Sequence, residues 1–119
     1  MSAHYLKTLD LMADIRELTS LAEYDEFVGS AGLNVLKIGA DWCVQCKFLE
    51  STLHGLSPDE ISGALLAEAN ADEEWFEDRV DELGVRGLPV LIAFRDGSEV
   101  GRLVGNQPKS AIIEFIGGV

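Results

Sequence analysis

Positive charge is scarce in this sequence: nine Lys and Arg residues stand against 21 Asp and Glu, a formal charge of −12. That balance has the wrong sign for neutralising phosphates or settling on an anionic bilayer, so neither nucleic acid nor membrane is expected as a partner. The acidic surplus gathers between residues 59 and 82. It reads as a solvated face, with a steering field for a basic partner as the alternative. Long hydrophobic runs are also missing, and a bilayer span needs about 20 apolar residues in succession. Residues 1–21 show no basic stretch followed by an apolar one, so export is not expected and a cytoplasmic location is. With three prolines, no repeat and no low-complexity tract, nothing marks a linker. A chain of 119 residues then makes one domain, expected as a monomer, burying roughly two-thirds of its unfolded surface.

What is present alternates between short apolar blocks and Gly or acidic punctuation. Residues 4–12 carry Leu6, Leu9 and Met12 at helical spacing. Residues 14–18 alternate as an edge strand does, and Ser20 then opens a helix with Leu21, Tyr24, Phe27 and Val28 on one face. Residues 33–40 suit a strand buried on both sides, except for Lys37. A helix is expected from Trp42 to about Leu53, stopped by Gly55, and Ser57-Pro58-Asp59-Glu60 has the capping-box pattern that starts a short helix. After a strand over 65–71, Asp72 is placed to cap a helix carrying Phe76, Val80 and Leu83, closed by Gly84. Strands over 89–95 and 99–104 meet across Asp96-Gly97, a strong hairpin signal, and Pro108 opens a last helix with Ile112, Ile113 and Ile116. This order predicts an α/β fold with parallel crossovers followed by one antiparallel hairpin.

Cysteine occurs only twice, at positions 43 and 46. In a reducing compartment such a pair reads as catalytic or metal-binding and not as a staple. Cys43 stands where a buried strand turns into a helix, so unpaired backbone N–H groups and the helix dipole favour its thiolate. Cys43 is therefore the expected nucleophile, and Cys46, one turn on and more covered, the thiol that resolves a mixed disulfide. Half a zinc site is the alternative, but only His4 and His54 could complete it and they lie on separate segments. An inert buried pair is the other.

The run Trp42-Cys43-Val44-Gln45-Cys46-Lys47 at a strand-to-helix turn resembles the thioredoxin family, and Val85-Arg86-Gly87-Leu88-Pro89 is similar to that family's cis-proline loop. The resemblance runs from about Asp14, leaving residues 1–13 as an N-terminal extension to a 14–119 domain. It implies the thioredoxin fold, a central mixed sheet flanked by helices, and disulfide exchange that needs no cofactor beyond the redox-active pair. It further implies a cis Leu88–Pro89 bond that sets Leu88 backbone groups beside Cys43, with Gly87 and Trp42 also meeting substrate. The motif from Ala40 to Glu50 is similar, more closely, to the C-terminal domain of the thiol:disulfide interchange reductase DsbD.

Departures from the family pattern fall around the thiols. Val44-Gln45 replaces the Gly-Pro usual between the cysteines, which changes the donor supply around the thiolate. Lys37 stands where the family carries a buried acid credited with moving the resolving cysteine's proton, and Glu68 where its accompanying lysine falls. A swapped Lys37–Glu68 pair across adjacent strands is expected, since an unpaired buried charge is heavily penalised. The alternative is that Lys37 reaches out to a sheet edge. Glu50 shares a helix face with Cys43 and Cys46 and is a second candidate for proton handling. The expected activity is reduction of protein disulfides, with an upstream thiol reductase as a further partner. A thioredoxin-fold interaction or chaperone-like module with regulatory cysteines is the competing reading.

Overall fold

The computed structural model describes residues 14–119. The helix expected over residues 4–12, the extension over 1–13 and His4 lie outside the described residues.

Five strands form one sheet in the order β1-β3-β2-β4-β5. They are β1 (Ile15–Glu17), β2 (Leu33–Gly39), β3 (Leu65–Asn70), β4 (Val90–Arg95) and β5 (Ser98–Val104). Four helices flank them: α1 (Leu21–Gly29), α2 (Val44–His54), α3 (Glu77–Leu83, continuing a 3-10 turn at Glu74–Phe76) and α4 (Lys109–Gly118). Ser20 starts α1 as expected, its hydroxyl accepting the Glu23 N–H. Gly84 ends α3 with φ of 66°, a left-handed conformation that costs glycine little.

Alternation along the strands splits the core into two layers. Val35, Leu66, Leu91 and Ala93 face one side with Leu49 and Leu53 of α2 and Ile112 and Ile116 of α4. Leu36, Ile38, Ala67, Val90 and Ile92 face the other with Tyr24 and Phe27 of α1 and with Phe76. Phe76 has no exposed surface and lies 5.3 Å from the Tyr24 ring. Burying such a side chain contributes about 1.5–3 kcal/mol. Because side chains repeat every second residue, Lys37 and Gly39 share the face of Val35, beneath α2.

Three expectations need correction. The segment at 57–63 forms the capping box but no helix: the Ser57 N–H donates to Glu60 Oε1 at 2.9 Å and the Glu60 N–H to Ser57 Oγ at 3.3 Å. Ser62 and Gly63 then take φ of 54° and 73°, which ends the turn and delivers the chain to β3 at Leu65. Asp72 does not cap the helix that follows, whose 3-10 start at Glu73 has no side-chain cap. Nor is the last helical connection a parallel crossover, since β4 pairs antiparallel with β2. β4 therefore enters the sheet from the end where β3 leaves.

Candidate active site

The carboxyl end of β2 and the amino end of α2 meet in a tight turn through Asp41 and Trp42, closed by the Cys43 N–H donating to the Ala40 carbonyl at 3.1 Å. Cys43 itself caps α2: it is extended, with φ of −91° and ψ of 108°, and its Sγ accepts the Cys46 N–H at 3.1 Å. Asp41, in the turn just before, is not the cap. A helical N–H is thus aimed at the first sulfur, the arrangement that stabilises negative charge there. Cys43 and Cys46 are joined as a disulfide, and Cys46 is the more covered, 2% exposed against 6%. Leu88 packs against the cluster formed by Ala40 and the two cysteines, and the Leu88–Pro89 bond is cis. Gly87 is exposed in the same loop.

Around this point three large apolar side chains are exposed. Trp42 is 70% exposed, Val44 61% and Phe48 56%. Trp42 is nonetheless held, because its Nε1 donates to Asp72 at 2.8 Å. That bond explains why Asp72 is not spent on the helix that follows it. Trp75 and Phe76, by contrast, pack on each other at 4.9 Å within the core layer beneath α1.

Beneath the disulfide lies a charged row. The parallel register sets Lys37 opposite Glu68 and the β1–β3 register sets Glu17 opposite Glu68, so the three share a row on the face under α2. Lys37 Nζ is 3.4 Å from Glu68 Oε2 and 3.8 Å from Glu50 Oε2, and the lysine side chain is only 8% exposed. Lys37 does not run out to a sheet edge: it sits in the central strand with both carboxylates over its ammonium. His54, the last residue of α2, lies 3.8 Å from Glu50. Glu17, Lys37, Glu50, Glu68 and Cys46 line a cleft of about 220 Å³ together with Gly39, Asp41 and Lys47.

Glu50, His54 and Glu68 bring potential ligand atoms within 4.8 Å of one another. Lys37 Nζ is already paired with the two carboxylates, and His54 gathers with them and not with the sulfurs, so a cysteine–histidine metal set is not assembled among the described residues.

Gly39 has no counterpart among the residues singled out from sequence. A Cβ there would stand 3.1 Å from Lys37 Cε and 3.2 Å from both Cβ and Sγ of Cys46. Its signal was available, since it follows Lys37 by two residues and so shares its face. Asp72 as the partner of Trp42 had no local signal, being 30 residues away in sequence.

The chain as a whole is similar to known proteins. Residues 16–117 match the family model described as Thioredoxin. The chain belongs to the thioredoxin family. Thioredoxin of Chlamydia caviae is 33% identical over 100 residues, covering 84% of this chain and 94% of its own length. The mitochondrial thioredoxin-2 of Schizosaccharomyces pombe is 31% identical over 84% of this chain and 73% of its own. Among solved structures, a mutant thioredoxin from Halobacterium salinarum superposes with a TM-score of 0.76 at 28% identity, covering 87% of this chain and 88% of its own. As a thioredoxin-family protein the chain is a thiol-disulfide oxidoreductase acting on protein disulfides, and its redox group is the cysteine pair itself. Among the described residues no helix is long and apolar enough to cross a membrane.

Proposed function

We propose that this thioredoxin-family protein works as a cytoplasmic, monomeric reductant of protein disulfides, with Cys43 attacking and Cys46 resolving. The observation that carries the reading is the placement of Cys43 as the cap of α2, its sulfur receiving a helical N–H. In the forward direction the Cys43 thiolate attacks one sulfur of the substrate disulfide. A Cys43–substrate disulfide forms, and the other substrate sulfur leaves as a thiolate that takes up a proton. Cys46, having lost its proton, attacks Cys43 Sγ, expelling the second substrate thiolate and leaving the Cys43–Cys46 disulfide. Two electrons pass to the substrate, and an upstream thiol reductase returns them.

The surroundings divide the remaining work. The Gly87-Leu88-Pro89 loop flanks the sulfurs and offers backbone groups to an extended substrate segment. Trp42, fixed by Asp72, presents a ring beside Cys43 that shapes protein contact. Lys37, Glu68 and Glu50 are the charged groups near the resolving thiol and set how readily it gives up its proton.

The test is reduction of a model protein disulfide by a small thiol reductant, with and without the protein. Cys43→Ser is expected to abolish the acceleration, and Cys46→Ser to accumulate a mixed disulfide with substrate. Equal rates for the wild type and Cys43→Ser would overturn the assignment. The reduction potential of the couple fixes the direction: a value well above that of the cellular thiol pool would make the protein an oxidant instead.

A further inference from the structure

We propose that Lys37 is a positioning cation for the resolving thiol: in the mixed disulfide, where Cys43 is bonded and carries no charge, its ammonium holds Cys46 as a thiolate, so that resolution starts from a charged sulfur and needs no base at that step. This rests on the roles proposed above for Cys43 and Cys46, but not on turnover.

The geometry begins at Gly39. Because the position of its missing Cβ is 3.1 Å from Lys37 Cε and 3.2 Å from Cys46 Sγ, those two atoms lie within about 6 Å of each other, the sum of the two distances. Glycine leaves no side chain between them. The charge sits on Nζ, one bond beyond Cε, so the ammonium is a near neighbour of the sulfur, and a nearby opposite charge favours the ionised form of a group. The lysine cannot readily swing away, since its stem is buried in the central strand and its head is held by Glu68 and Glu50.

Several other charges face Cys46 and must be weighed. The cleft it lines carries Glu17 from β1, Glu68 from β3, Asp41 from the turn, and Lys47 and Glu50 from α2, with His54 beyond Glu50. Glu17, Asp41, Lys47 and His54 are exposed, so solvent and salt screen them. Glu50 is part-exposed at 42% of its side chain, and Glu68 at 19%. Both carboxylates are directed at Lys37 Nζ. Lys37 is the charge most removed from water, and its aliphatic end lies beside the sulfur across the bare Gly39, so its field reaches the sulfur with the least screening. The inverse arrangement, a lone carboxylate at that point, would oppose a thiolate.

The experiment is a pH titration of thiolate absorbance in Cys43→Ser, where Cys46 is the one remaining cysteine. Adding Lys37→Met and Glu68→Gln together removes both charges without leaving either unpaired. The midpoint is expected to rise by at least one pH unit, a tenfold gain in proton affinity, whereas Lys37→Arg is expected to stay near the parent. An unchanged or lowered midpoint in the neutralised variant would overturn the proposal, because Lys37 would then only be cancelling the carboxylates. A second measurement needs no change at Lys37: in Cys43→Ser the carbon-13 resonance of Lys37 Cε is expected to step at the Cys46 midpoint, and a flat resonance would equally overturn it. If these hold but Cys43→Ser supports wild-type disulfide reduction, the functional assignment fails and the electrostatic coupling stands.

Discussion

Replacing Gly39 by alanine tests the close approach on which the site is built. The residue is not in the left-handed region, so its backbone does not forbid a side chain. At an open position of that kind the change would stabilise the protein by about 0.4–1 kcal/mol, by restricting the unfolded chain. Here the new methyl meets three atoms at 3.1–3.2 Å. Two belong to Cys46, which is fixed by α2 and by its bond to Cys43. The third belongs to Lys37, whose head lies between Glu68 and Glu50. Overfilling a packed site of this sort costs about 1–3 kcal/mol. The difference is a net loss of about 1–2 kcal/mol, which at this chain length lowers Tm by about 4–8 °C. Thermal unfolding of the oxidised protein by circular dichroism measures it. Gly29→Ala is the control, at the end of α1 where nothing lies within 4 Å of the added methyl, and it is expected to match or exceed the wild type. A Gly39→Ala protein as stable as the wild type would show that the strand and α2 yield freely, and the argued rigidity beneath Cys46 would be wrong.

Two further outcomes follow from side chains outside the cysteine pair. The Ser57 N–H, and next to it Lys109, hold the Glu60 carboxyl below its usual range. The native protein then binds fewer protons there than the unfolded chain, so this stabilisation is present above the ordinary glutamate value of about 4.3 and is lost as pH falls through the lowered native one. Glu60→Gln is accordingly expected to unfold at a lower temperature than the wild type at pH 7, with the gap closing in acid. A constant gap across that range would contradict the assignment. Asp72→Ala removes the acceptor for Trp42 from an exposed hydrogen bond, so stability should change by no more than about 1 kcal/mol. The fluorescence anisotropy of the freed indole should fall and KM for a protein disulfide should rise, and unaltered anisotropy would mean that Asp72 does not hold the ring.

Features set by neighbours in sequence were legible without coordinates. Asp96 and Gly97 take φ of 54° and 82°, the pair of positive values that a two-residue hairpin demands and that an Asp-Gly dipeptide supplies. The buried run of β2, the glycine stop of α3 and the cap at Ser20 are of the same kind. Residues 57–63 depart from expectation for the opposite reason. Their capping box forms, but whether a helix continues past one turn depends on where the chain must next go, and β3 starts only two residues beyond Gly63. The direction of β4 is likewise a matter of strand pairing, antiparallel to β2, which periodicity does not record.

The site itself announced its centre through one misplaced residue. A charged lysine in a strand buried on both faces must find a counter-charge or leave the core, and the register with β3 supplies Glu68 at the same level. Yet a polar residue in a buried strand is not enough to mark a site. Asn34, three residues earlier in β2, is fully buried as well, and its Nδ2 donates to the Ser30 carbonyl at 2.7 Å. That bond ties the connection from α1 to the start of β2 and stands far from the sulfurs. What separates the two is their place along the strand. Asn34 lies at the amino end, whereas Lys37 lies near the carboxyl end, where β2 hands over to the helix that carries both cysteines and where open α/β sheets gather their chemistry. The charge anomaly and the position on the strand together single out Lys37, and neither does so alone.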